Sequence, residues 1–179
     1  MRTQAGPSSF GDRLIGALLL QPQAYEAVEA DEGATGQAAL VVVLGTVAAA
    51  VGGVRGGPAG VLVAIAVALL GWAAFAYITY LIGTRLLPSS ATQADWGQLL
   101  RVLGFASAPR LFLLLGVVPV LGIIVSLVVA VWVLVAAVQA LRAALDYESW
   151  LRAAAVAFLG WLALAALQVL AAALVVAVF

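Results

Sequence analysis

Three carboxylates, two amides and one arginine are the side chains of this sequence whose types and positions could do chemistry. Asp95, Asp146 and Glu148 fall in polar stretches between apolar runs, where grouped acids can move a proton or hold a cation. Two or three surface carboxylates without histidine read first as solvated loop residues. Cysteine and histidine are absent, which removes disulfides, thiolate nucleophiles, imidazole bases and the usual zinc sites. No phosphate loop, nucleophile elbow or metal-ligand spacing occurs either. Gln139 and Gln168 sit inside apolar runs. They can bond across helices or line a small polar cavity, and ordinary helix-to-helix bonding is the weightier role. Arg110 is the one charge expected at depth. These residues point to a non-enzymatic protein that needs no cofactor or metal. Arginines and acids balance at zero net charge without a basic patch, so no nucleic-acid partner is expected.

The elements that must position these residues belong in a membrane. The chain is 66% hydrophobic and 9% charged, against about 45–50% and about 25% for soluble domains. Repeated long apolar runs favour helices over a barrel, and the expected fold is all-α, a polytopic helical bundle. Residues 1–36 form an amphipathic amino-terminal segment, and 37–179 the membrane domain. Residues 1–9 are expected to fray. Ser9 and Asp12 have capping-box spacing, and Phe10, Leu14, Ala17 and Leu18 share a helical face. The apolar part is too short for a signal peptide. Pro22 ends this helix and starts another, in which Tyr25 and Val28 share a face. The two helices lie at the membrane surface or pack on the protein, and the sequence leaves both open.

Spans are expected at 37–54, 61–83, 103–118, 120–142 and 153–178. The first carries Gly45, Ala49 and Gly53 at four-residue intervals, a small-residue face for close helix approach. Arg55 opens a tight turn, and Trp96 sits at an interface. The apolar run 111–141 is 31 residues long, about 46 Å as one helix against a hydrocarbon core of about 30 Å. It contains Gly116, Pro119 and Gly122, suited to breaking the helix. Crossing once gives four spans and arginines divided five to three. Turning near Pro119 gives five spans and a division of seven to one, which the positive-inside bias prefers. All eight acids and all four tyrosines then fall on or near the arginine-rich side. The third span is expected to be kinked, short or partly interfacial. Arg110 would lie about 10 Å deep, turned towards headgroups or an acid such as Asp95.

The segment Gly104-Phe105-Ala106-Ser107-Ala108-Pro109, followed by an apolar run with Pro119, Gly122 and Trp132, resembles the Yip domain family, membrane proteins named for interaction with Ypt/Rab GTPases. Members show a Gly-Tyr/Phe-x-x-x-Pro element at the third span. Leu20-Gln21-Pro22-Gln23-Ala24-Tyr25 is similar to the Pro-x-x-aromatic entry of prokaryotic relatives. The resemblance runs from about Phe10 to Leu170. It implies five spans, a cytosolic amino terminus and action through partners or through organising lipid. The Asp-Leu-Tyr-Gly-Pro element and long amino-terminal region of eukaryotic members are missing, so the resemblance does not carry GTPase binding here.

The expected function is a membrane scaffold, accessory subunit or lipid-organising protein in the cell (inner or plasma) membrane, with the amino terminus cytoplasmic and the carboxyl terminus outside. Membrane lipids and a membrane-protein partner or second copy are its expected partners. The alternative is a passive pathway for lipids or small molecules between the spans. The candidate residues are Gly104, Phe105, Pro109, Arg110, Pro119, Gly122, Gln139 and Gln168.

Overall fold

The computed structural model describes residues 9–53 and 57–178, with the backbone alone at 119 and 175–178. Residues 1–8, Arg55 and Phe179, and the expectations attached to them, lie outside the described residues. The described residues are mainly helical, and five helices are long and apolar enough to cross a membrane. They are α3 (Ala34–Gly53), α4 (Gly57–Leu81, extended by a π-helical turn at Ile82–Leu86), a third crossing from Trp96 to Val117, α6 (Pro119–Ala144) and α7 (Trp150–Val178). The third crossing has two parts: α5 (Trp96–Ala106) and a 3₁₀ segment (Ala108–Val117). Two shorter helices, α1 (Phe10–Leu18) and α2 (Pro22–Ala30), precede them.

Local chemistry sets these boundaries. The Ser9 hydroxyl accepts from the Asp12 amide, and the Asp12 carboxylate accepts from the Ser9 amide, so α1 starts on a capping box. It ends with Leu20 in the left-handed region at φ 57°. There the Leu20 and Gln21 amides donate back to the Ala17 and Gly16 carbonyls. Pro22 occupies the first turn of α2, where its missing donor costs nothing. Asp95 caps α5 reciprocally with Gln98. The chain turns at Val118, in extended conformation, and Pro119 opens α6. Asp146, at φ 51°, ends α6 in the same manner as Leu20 ends α1.

The helices form a ring in the order α3, α4, α7, α6 and third crossing. Within the third crossing the neighbours change. α5 packs on α3, α4 and α6, whereas the 3₁₀ segment beyond Pro109 packs on α3 and α6 but not closely on α4. The half of the bundle near the charged loops is therefore solid, filled by Leu99, Val102, Phe105, Leu141, Leu145 and Val156. The opposite half is open. The buried residues of α4 are Ala76 and Thr79, near its charged end, and from Trp161 onwards no described side chain of α7 is buried.

The alternatives left open for α1 and α2 are resolved towards packing on the protein. Ala17, Tyr25 and Val28 are buried in the core, while Ile15 and Leu19 remain on the outer surface. The Tyr25 hydroxyl donates to the Ala17 carbonyl at 3.1 Å, and the Trp132 indole donates to the Leu18 carbonyl at 3.0 Å. Arg13 pairs with Asp31 at 2.7 Å and ties α1 to the carboxyl end of α2.

Candidate functional site

The break in the third crossing organises the candidate site. Gly104 lies against α3 so closely that a Cβ there would meet the Ala38 Cβ at 2.6 Å. Phe105 is fully buried, its ring edge-on to Phe10 of α1 with centroids 6.1 Å apart. Pro109 is buried at the start of the 3₁₀ segment, where its ring and missing N–H are incompatible with continuing the α-helix. Each part of the Gly-Phe-x-x-x-Pro segment thus has a separate task. Glycine seats the helix on α3, phenylalanine receives α1, and proline redirects the chain away from α4.

That redirection leaves a cavity of about 470 Å³ between α3, α4, the third crossing, α6 and α7. Its walls are mainly apolar, and its polar lining comes from Thr46, Ser107, Arg110 and Gln168, with Trp72 and Trp161 on the α4 and α7 sides. Thr46 and Ser107 donate their hydroxyls to carbonyls of their own helices, Val42 at 2.8 Å and Gly104 at 2.6 Å. The Trp72 indole is likewise engaged, donating to Leu100 at 3.0 Å. Arg110 is different. Among the described residues, nothing hydrogen-bonds to its guanidinium or pairs with it.

Arg110 sits four residues beyond α5, so about 20 Å of helix separates it from Trp96 and about 14 Å from Val117. This is deeper than its spacing suggested. The third crossing begins at Trp96, not at 103, and has 22 residues. Of the two expected directions for its side chain, headgroups or an acid such as Asp95, the second is not found: the Asp95 carboxylate receives the Gln98 amide at 2.9 Å, capping the far end of α5. Gly45 of α3 makes room for Arg110, with a hypothetical Cβ only 3.0 Å from the arginine Cβ.

Arg110 is not the only arginine inside the third crossing. Arg101 is also buried there, and its Nε and terminal nitrogen donate to the Glu29 carbonyl at 3.1 and 2.6 Å, completing the carboxyl end of α2. Sequence reasoning missed it because the acceptor is a backbone oxygen 72 residues away.

The remaining candidates do not converge on the cavity. Gln139 is buried and lines a groove of about 400 Å³ near the charged loops, with Glu26, Glu29, Arg142, Asp146 and Glu148. Gln139 and Gln168 therefore open onto different spaces and form no common polar path. In that groove burial, followed by the charge of Asp146, raises the Glu29 carboxyl to about 7. Asp95 does not line it, so the three carboxylates are not brought together there. Arg142 donates to the Tyr147 and Glu148 carbonyls and stacks over Trp150 at 4.8 Å, and the Tyr147 hydroxyl donates to the Gly83 and Leu87 carbonyls. These contacts hold the loop between α6 and α7 against the end of α4. Among the described residues, no group of three or more acids is arranged to hold a metal ion. Gly122 lies at the opposite end of the bundle, where a Cβ would come 2.9 Å from the Gly116 carbonyl, next to Gly52 of α3.

Neither the curated proteins nor the solved structures give a match to the chain. The Yip1 domain family model matches residues 16–174, from the end of α1 into the last turns of α7 and including the broken third crossing. With five apolar helices and a match over nearly its whole length, the chain belongs to the Yip1 domain family of membrane proteins.

Proposed function

We propose that this protein is non-enzymatic and acts by binding other membrane components, lipid foremost, as a scaffold, accessory subunit or lipid-organising protein. The observation that carries the reading is the asymmetry of the bundle, solid near its charged loops and open at its other half around an apolar-walled cavity. Apolar walls of that kind need to be covered in the bilayer, by acyl chains or by another helix. The family implies the same kind of action. Arginine distribution favours the charged loops and amino terminus on the cytoplasmic side of the cell membrane.

Native mass spectrometry of the full chain released from mild detergent tests this reading. Retained lipid, a second copy or a membrane-protein partner is the expected result. A bare monomer under every gentle condition would count against it. A passive pathway for lipid or small molecules is the second reading, supported by the same cavity. Reconstitution with fluorescent lipids separates it from the first, since a binding protein leaves transbilayer flux at the protein-free level.

A further inference from the structure

We propose that the cavity is a binding site for one anionic phospholipid, with its phosphate on Arg110 and its acyl chains on the open faces of α4 and α7. This rests on the proposal above that the protein binds lipid, and deepens it by naming the lipid class and the residue that selects it.

Three observations support the assignment. First, Arg110 is a permanent cation lining a cavity between the helices, and among the described residues nothing pairs with its guanidinium. The contrast with Arg101, nine residues earlier and satisfied by the Glu29 carbonyl of α2, shows that the fold brings an internal acceptor to one arginine of this crossing and none to the other among the described residues. A cation held inside the bilayer without a counter-charge is costly, and an anion seated beside it removes that cost. The guanidinium fork also matches phosphate geometry, with two parallel donors to two oxygens.

Second, the walls fit an amphiphile and not a free ion. Val67, Leu164 and Trp161 face the same space as Arg110, so inorganic phosphate would exchange water for a mainly apolar surround. A phospholipid brings its own apolar surface. At about 470 Å³ the cavity suits a headgroup and the first part of the chains. The rest can follow the exposed surface of α4 at Leu62, Val63 and Val67, and that of α7 at Leu167 and Leu174.

Third, the bundle is solid towards the charged loops, where Leu99, Phe105 and Leu141 are buried, and α4 and α7 are exposed towards the other end. A lipid would enter from that leaflet and stop. Gln168, on α7 at the same cavity, is placed to contact the headgroup after Arg110 has selected its charge.

The test uses the full chain in nanodiscs, with brominated phospholipids as tryptophan quenchers. Trp161 and Trp72 line the cavity, and the signal assigned to the site is the part lost in W161F. Brominated phosphatidylglycerol should quench that component saturably and about tenfold more effectively than brominated phosphatidylcholine, because both lipids offer Arg110 a phosphate but the choline ammonium brings a second cation into the same low-dielectric space. R110Q should abolish the preference, and Q168L should weaken it while leaving the charge in place. R110K should keep part of it, because a lysine offers a charge without the fork. Equal quenching by both lipids in the wild-type protein would overturn the proposal without any variant. So would a preference that survives in R110Q, or saturation by a brominated fatty acid with no response to phosphatidylglycerol. Lipid retained with no headgroup preference would sink this inference and leave the broader reading standing, whereas no retained lipid or partner would remove both.

Discussion

Arg101 and Arg110 are one residue type on one crossing, and their surroundings give opposite consequences. Arg101 completes α2 through two short donations to Glu29. Replacing it by methionine should cost about 1.5–3 kcal/mol, visible as faster amide hydrogen exchange across α2 with the spans unaffected. Glu29 itself should make that docking depend on pH. Burial and the Asp146 charge raise its carboxyl from the ordinary 4.5 to about 7 in the folded protein. A raised acid is better tolerated neutral, so its contribution is fully present below the unfolded value and is lost as pH rises through about 7. Protection of α2, corrected for intrinsic exchange, should therefore fall between about pH 5 and about pH 8, and E29Q should flatten the profile. Asp31, held below the usual carboxylate range by Arg13, has the opposite sign and acts only at lower pH. None of this was legible in the sequence. A charge on an apolar helix announces itself, but its acceptor, when it is a carbonyl from a distant turn, does not.

For the helices, the small-residue face of α3 is the instructive case. Gly45, Ala49 and Gly53 have even spacing, yet Gly45 and Gly52 are the glycines that receive the third crossing, and Gly53 meets open space. Helical geometry explains the difference. Seven residues bring a side chain back to within about 20° of its starting direction, whereas eight overshoot by about 80°. A methyl at Gly52 would collide with the Leu113 carbonyl. G52A should thus lower stability by about 1–3 kcal/mol, and G53A should be neutral or slightly stabilising because alanine favours helix. Thermal unfolding of the two variants in the same detergent checks the contrast. The start of the third crossing was also misread. The span was expected from 103, although the Asp95–Gln98 capping box marks the beginning of α5 at Trp96. The kink, in contrast, was readable from Pro109, and both amino-terminal helices from their caps and Pro22.

At the scale of the whole molecule, five helices follow from composition and from the arginine distribution. Without native cysteines, single substitutions test their sidedness. S90C should react with an impermeant thiol reagent only from the cytoplasmic side, and V118C only from the other. Reaction of both from one side would return the chain to four spans. The open cavity was not legible, because in a membrane an apolar side chain facing lipid and one facing a neighbouring helix are chemically alike. The bond between the Trp132 indole and Leu18 joins residues 114 positions apart, and it bears on how the protein is made. When α1 and α2 leave the ribosome, the surface that will receive them has not been synthesised. Their final seating must wait until the fourth crossing is in the bilayer, so a nascent chain arrested before Trp132 would hold its amino-terminal hairpin through Phe105 and Arg101 alone, with the side that α6 covers open to proteases or chaperones.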